Sequence, residues 1–220
     1  MKQIITGDNS ITFENPVYEQ AYHSLSGALS EAKLKYAEPC KIAEKAKSGS
    51  LTILDICFGL GYNSLLAIHT AKASNPKCKI KIYALEMDPQ VFGLINKIDM
   101  DQEYAAIYNM IKRLSKDKLS IKQGGVDLQL HLGDARETIL EIKDKADAVF
   151  LDPFSPPKNP ELWTEEFFSN IHARMKKSAI LATYSCAALV RINLVRAGFD
   201  VKDGPHAGRY APSTLAFPLP

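Results

Sequence analysis

The stretch Leu51-Thr52-Ile53-Leu54-Asp55-Ile56-Cys57-Phe58-Gly59-Leu60-Gly61-Tyr62-Asn63-Ser64-Leu65-Leu66 decides the fold. An apolar, β-rich run meets Gly-Leu-Gly and leaves into an apolar helical pattern, which predicts a strand, a tight turn and a helix start. Glycine at 59 and 61 lets the chain turn sharply and lets a ligand come close to the main chain. A βα turn without any ligand satisfies the same local pattern. The choice depends on what the rest of the chain brings to this turn.

After Leu66 the pattern alternates. Helical spacing over Asn63–Ala73 is followed by β-rich runs at Lys79–Leu85, Val126–Leu132, Ala146–Leu151, Ile180–Tyr184, Phe199–Lys202 and Thr214–Phe217. Helical segments start near Pro89 and span Tyr104–Leu114, Ala135–Lys143, Glu161–Met175 and Ala187–Ala197. Strands alternating with helices predict an α/β fold with a mostly parallel, seven-stranded sheet and helices on both faces. Before Leu51, residues 3–6 and 10–13 read as short strands around a Gly7-Asp8-Asn9 turn. Apolar residues from Pro16 to Lys47, including Tyr18, Tyr22, Leu25 and Leu29, fall largely at helical spacing, with a break at Pro39. The expected organisation is one domain over 1–220, with an N-terminal extension (1–50) and a core (51–220). No role is assigned to residues 99–125.

The bulk composition excludes several classes. With 46% apolar and 24% charged residues in 220, the chain matches a globular protein and not a disordered one. The four cysteines have no Cys-x-x-Cys spacing, so neither a zinc site nor a disulfide framework is expected. No apolar run reaches the roughly 18 residues of a membrane span, and nothing reads as a leader peptide, so a cytoplasmic location is expected. The net charge is only +2, but Ser169–Pro220 holds seven bases and two acids. Such an end suits a polyanion, and equally a solvated basic surface.

Acidic residues stand at the carboxyl ends of four of these strands: Asp55, Glu86, Asp134 and Asp152. In doubly wound sheets, ligands bind outside this edge. Ser64 stands where a dinucleotide loop has its third glycine, and no Gly-Lys-Ser/Thr follows, so a ligand without phosphates fits better. S-adenosylmethionine is one. Glu86 would accept from its ribose hydroxyls and Asp134, beside Gly133, from its adenine amino group. The Phe58–Gly61 backbone would pass under the methionine part.

The loop Leu151-Asp152-Pro153-Phe154-Ser155-Pro156-Pro157-Lys158-Asn159-Pro160-Glu161-Leu162-Trp163 is stiffened by four prolines between Pro153 and Pro160. Asp152 followed by Pro-Phe is similar to the Asp/Asn-Pro-Pro-Phe/Tyr loop of amine-directed methyltransferases. An alkylammonium with a pKa of ~10 must lose a proton before it can attack a methyl group, and a placed carboxylate helps take it. A capping role for Asp152 is the simpler alternative. Lys158 suits an RNA phosphate or open solvent, and Trp163 is read as a core anchor.

With these residues in place, the chain resembles the methyltransferase domain of the bifunctional bacterial enzymes that complete 5-methylaminomethyl-2-thiouridine at the tRNA wobble position. The match is carried by Tyr22-His23-Ser24 with Gly27–Ala32, by Asp55–Asn63, by Leu151–Thr164, and by Leu181–Ser185 with Ala187–Phe199. The resemblance implies a Rossmann-like class I methyltransferase fold, S-adenosylmethionine as donor, and tRNA as partner. It places Asp55, Phe58, Gly59, Gly61, Asn63, Glu86, Gly133 and Asp134 at the donor and Asp152 at the acceptor amine. Tyr22, Phe154, Lys158 and Arg209 are the further substrate candidates. Cys57 and Pro153 replace glycines of the family pattern, Leu60 and Tyr62 replace Thr and Leu, and Gly208-Arg209-Tyr210 lacks its Gly-Arg-Lys-Arg cluster. The flavin oxidase domain of the bifunctional enzymes has no counterpart in these residues, so upstream enzymes would have to supply the aminomethyl-uridine. A methyltransferase for a small or protein amine, and a non-catalytic S-adenosylmethionine- or RNA-binding protein, stay open at this point.

Overall fold

The computed structural model describes residues 1–220. The chain opens with β1 (Lys2–Ile5) and β2 (Ile11–Asn15), paired antiparallel, and β3 (Gln20–Ala21) adds to β2. Asp8 closes the first turn by accepting from Ser10 N–H at 3.1 Å and from Thr6 Oγ1 at 2.8 Å. Residues 16–27 are not helical, contrary to the periodicity. Tyr18 and Tyr22 at that spacing pack instead on Phe154, with ring centroids 4.3 and 5.4 Å away, and Leu25 faces solvent. Helix begins only at α1 (Ala28–Glu31), which runs into a π-helical turn, Ala32–Ala37. Pro39 ends this run as expected, and α2 (Ile42–Ala46) follows.

The core then alternates through β4 (Ser50–Ile56), α3 (Tyr62–Ser74), β5 (Lys79–Glu86), α4 (Val91–Ile95) and α5 (Gln102–Ile111). A short strand that the alternation does not reveal, β6 (Ser120–Gln123), forms a hairpin with β7 (Val126–Leu132) across Gly124-Gly125. Next come α6 (Ala135–Glu141), β8 (Ala146–Leu151), α7 (Glu165–His172), β9 (Met175–Thr183), α8 (Ala188–Arg196), β10 (Phe199–Asp203) and β11 (Thr214–Pro218). The helix expected over Glu161–Met175 is interrupted. Pro160–Trp163 is a 3₁₀ turn, Thr164 caps α7, and β9 already starts at Met175. No helix is long and apolar enough to cross a membrane.

The main sheet has the order β10-β11-β9-β8-β4-β5-β7-β6. The five central strands are parallel, the expected mostly parallel sheet, while β6, β10 and β11 add antiparallel edges. Its central strands are apolar on both faces because both are covered. One face packs α3, α5 and the N-terminal helices into a cluster of 39 buried residues, and the other packs α6, α7 and α8 into one of 23. The first face is the larger because the extension adds Phe13, Ala28, Ala32 and Tyr36 to it. Residues 99–125 gain a place as well. The Tyr108 hydroxyl donates to Leu60 O at 2.9 Å, so α5 braces the glycine turn from behind.

The order places β4 between β5 and β8, so the chain leaves β4 in opposite directions along the sheet. Parallel register pairs Ile56 with both Leu85 and Leu151, and Leu151 with Thr183. Cys57, Glu86, Asp152 and Tyr184 therefore emerge together at one edge.

Candidate active site

The turn after β4 has an unusual backbone. Cys57 (φ 65°), Gly59 (φ 53°) and Gly61 (φ 79°) all lie in the left-handed region. At Gly61 a Cβ would stand 2.9 Å from Phe58 Cζ and 3.2 Å from Ile111 Cγ2, so any side chain collides. The alternation of conformations turns the Phe58 ring inward to the core and the Cys57 thiol outward. At Gly59 the site of the missing Cβ is 3.4 Å from Tyr22 Cδ1 and 4.0 Å from His23 Cε1. The extension thus roofs the turn. Between them lies a cavity of about 730 Å³ running along the sheet edge, within the usual range for small-molecule sites.

Glu86 closes the β5 end of the cavity. Its Oε2 accepts from Gly59 N–H at 2.8 Å, and its Oε1 accepts from Met87 and Asp88 N–H at 2.9 and 2.8 Å. Burial pushes its carboxyl up, and the three backbone donors oppose that. A carboxylate offers about four lone-pair directions, so about one remains for a ligand, not two. Asp88 sits beside it and accepts from the Tyr22 hydroxyl at 3.1 Å. At the β7 end Gly133 and Asp134 line the wall. Asp134 caps α6 by accepting from Arg136 N–H at 2.9 Å, and the Arg136 guanidinium holds its carboxyl below the usual range.

Asp152 stands on the other side of β4. Its Oδ1 accepts from the Tyr36 hydroxyl at 2.6 Å and its Oδ2 from Asn63 Nδ2 at 2.9 Å. Burial, and after it the negative charge of Glu31, push its carboxyl well above the ordinary carboxylate range, while Tyr36, Asn63 and Lys35 pull it back. The loop behind it is rigid. Trp163 Nε1 donates to Phe154 O at 2.9 Å, the Tyr184 hydroxyl to Pro153 O at 3.0 Å, and Gln20 and Ser155 exchange two hydrogen bonds at 2.7 and 3.0 Å. The reading of Trp163 as a buried anchor matches its 2% exposure.

Of the residues singled out from sequence, Gly59, Glu86, Gly133, Asp134, Asp152, Tyr22, Phe154 and Arg209 line this one cavity. Others do not. Phe58 belongs to the core because its neighbours' left-handed backbone inverts the facing of the turn. Gly61 is needed by packing rather than by a ligand. Asp55 is fully buried and bonded to Ser64 Oγ at 2.6 Å, with its carboxyl pushed up to about 7 by burial and one oxygen left unpaired. Asn63 reaches the site only through Asp152. Lys158 lies outside the cavity and pairs with Glu19 at 2.6 Å. Much of the basic C-terminal excess is likewise spent in pairs, Lys176 with Asp147, Arg191 with Asp203 and Lys202 with Asp200. Arg209 donates to Pro212 O at 2.9 Å and to Tyr184 O, closing its loop over the cavity.

Sequence reasoning missed Glu31, Lys35, Tyr36, Cys57, Asp88 and Tyr184. Cys57 and Asp88 each stand two residues after an acidic strand end, Asp55 and Glu86, and Tyr184 directly follows β9; nothing local marked Glu31, Lys35 and Tyr36. The cavity wall carries six carboxylates (Glu31, Glu86, Asp88, Asp134, Asp152, Glu161) against Lys35 and Arg209. That balance favours a cationic ligand.

A doubly wound sheet with an acidic cleft at the carboxyl edge and a glycine turn lacking a phosphate signature defines the class I methyltransferase architecture. Residues 98–217 match the S-adenosyl-L-methionine-dependent methyltransferase family model, and the chain belongs to that family. The crystal structure of MnmC2 from Aquifex aeolicus superposes with a TM-score of 0.89 at 35% identity, covering all of this chain and 72% of that one. An uncharacterized protein of Methanocaldococcus jannaschii is 33% identical over 98% of this chain. The tRNA 5-methylaminomethyl-2-thiouridine biosynthesis bifunctional protein MnmC of Paraburkholderia phytofirmans is 28% identical over 90%. The chain spans 59% and 32% of the length of these two relatives. The cofactor of the family is S-adenosyl-L-methionine. The cavity suits it: Gly59 leaves open the space a Cβ would fill beneath Tyr22, and the carboxylates along the wall suit a cationic sulfonium.

Proposed function

We propose that this chain is an N-methyltransferase that converts 5-aminomethyl-(2-thio)uridine at the tRNA wobble position to 5-methylaminomethyl-(2-thio)uridine. The observation that carries the reading is Asp152, a half-buried carboxylate held by two hydrogen-bond donors at the mouth of a hydrogen-bonded loop, facing the cavity. The relative in Paraburkholderia phytofirmans, which takes part in 5-methylaminomethyl-2-thiouridine biosynthesis on tRNA, supplies the substrate class, and the acidic wall suits an ammonium.

When bound, S-adenosylmethionine supplies an electrophilic methyl group on a sulfonium. Glu86 and Asp88 would hold the ribose side, Asp134 the adenine side, and the Cys57–Gly59 backbone would lie under the methionine part. Asp152 would accept a hydrogen bond from the acceptor ammonium and take its proton, leaving the nitrogen lone pair free for attack. Tyr36 and Asn63 keep the carboxylate in one orientation during the transfer. Phe154, stacked on Tyr18, and Arg209 stand at the rim, where a nucleoside would enter. Holding both reactants in line supplies much of the acceleration of such a displacement.

The test is incubation with methyl-labelled donor and tRNA from a strain lacking the terminal methylation. Label recovered in the wobble nucleoside supports the reading. Label appearing only in small amines overturns the tRNA assignment, and donor binding without transfer to any substrate overturns catalysis.

A further inference from the structure

Beside the acceptor carboxylate lies an ion pair that methyl transfer as described does not use. Lys35 Nζ contacts Glu31 Oε1 at 2.7 Å, with side chains 5% and 9% exposed, and both residues line the cavity. Glu31 Oε2 also accepts from Ser24 N–H at 2.8 Å, whereas Lys35 has no second hydrogen-bond partner. A buried pair is often no more stabilising than apolar residues of the same volume, so stability does not account for it.

Its placement follows from the π-helical turn. Glu38 N–H bonds Lys33 O, a five-residue step, so the turn is wider than an α-helical one. In an α-helix Glu31 and Lys35 would share a face while Tyr36 diverged by about 100°. The wider turn brings Tyr36, five residues after Glu31, onto the same side, and its hydroxyl reaches Asp152. One turn of the extension therefore carries the phenol that bonds Asp152 and sets a carboxylate and an ammonium on the cavity wall that Asp152 also lines.

We propose that Glu31 and Lys35, an ion pair on the cavity wall and on the same turn as the Tyr36 that bonds Asp152, are positioning residues that set the charge around this carboxylate. The inference rests on Asp152 being the carboxylate that meets the acceptor amine. A base must be ionised when the ammonium arrives and still basic enough to take its proton, which requires balance near the working pH. Other groups face Asp152 from every neighbouring element: Tyr36 and Asn63 as donors, Asp55, Cys57 and Glu86 from the ends of β4 and β5, and Tyr184 from the end of β9. Arg209 in turn faces Tyr184. The charges of Glu31 and Lys35 bear on Asp152 in opposite senses, the anion raising its carboxyl and the cation lowering it.

The test reads Asp152 directly and needs no substrate. The full chain is labelled with ¹³C at aspartate side-chain carboxyls and titrated by NMR, with the Asp152 resonance identified by its loss in Asp152→Asn. Lys35→Met should move the Asp152 midpoint up by about one pH unit and Glu31→Gln should move it down by about one, while Lys35→Arg should leave it within a few tenths. Opposite shifts with the arginine variant unmoved support the proposal. Midpoints that stay put, or that move in the same direction, overturn it. Should Lys35→Met fail to fold, Glu31→Gln and Lys35→Arg decide alone. Opposite shifts without any methylation of tRNA would leave this balance standing and remove the wobble-uridine reading. Methylated tRNA with immobile midpoints would do the reverse.

Discussion

Replacing Tyr36 by Phe removes one oxygen and leaves a buried ring edge-on to Phe150 at 5.8 Å. Its consequence is confined to Asp152, which loses the 2.6 Å donor to Oδ1. A hydrogen bond to a charged group contributes about 1.5–3 kcal/mol, which at about 1.36 kcal/mol per pH unit is a further rise of roughly one to two units in the Asp152 midpoint. The active form is the carboxylate, so the acidic limb of kcat/KM should move up by that amount. Activity should fall about 10- to 100-fold below the old midpoint and return toward the wild-type value well above the new one. The stability effect has a fixed sign. The folded-state pKa of Asp152 lies above its ordinary value of 3.8, so the folded protein binds the proton more tightly than the unfolded chain. The carboxyl therefore destabilises the fold above its raised midpoint, and this penalty fades as pH falls toward 4. Tyr36→Phe should deepen the neutral-pH penalty and leave acid stability nearly unchanged. The assay is kcat/KM for methyl transfer against pH, with urea unfolding at pH 4.5 and 8 alongside. An equal loss of activity at every pH would refute the reasoning, because it would mean that Tyr36 orients substrate and does not tune Asp152.

Three further outcomes are expected. Asp152→Ala should bind S-adenosylhomocysteine as the wild type does yet lose roughly a hundredfold or more in turnover; full activity would remove its assigned role. Glu86→Ala strands the Gly59, Met87 and Asp88 N–H groups and should weaken donor binding about tenfold or more in calorimetry, so unchanged affinity would contradict the ribose assignment. Trp163→Ala loses a buried ring and the bond to Phe154 O; it should cost about 3–5 kcal/mol and lower the unfolding midpoint by roughly 10 °C, and a midpoint within 2–3 °C of wild type would show that the loop does not depend on this anchor.

What was legible in the chain follows from which contacts are local. The apolar runs ending at Asp55, Glu86, Gly133 and Asp152 could be read because strand period and turn residues are written within a few positions of each other. The edge strand Ser120–Gln123 could not, since only Ile121 of its four residues is buried. Tyr18, Ala21, Tyr22 and Leu25 imitated a helix because aromatic residues that cover a distant loop can fall at any spacing. Phe58 was placed at the ligand on an ordinary backbone, but left-handed φ at Cys57 exchanges inside for outside, and a non-glycine residue gives no warning of it. Glu31, Lys35 and Tyr36 were hidden for a different reason. Their partner is 116 residues away for Tyr36, and their common facing depends on one π-helical turn that residue periodicity at 3.6 does not describe. A site assembled where an N-terminal extension meets a central strand can be read only on its central half, where each side chain's direction follows from the strand that carries it. The other half is determined by how the extension crosses the cleft, and here that crossing sets the Glu31–Lys35 pair on the same turn as the Tyr36 that bonds Asp152.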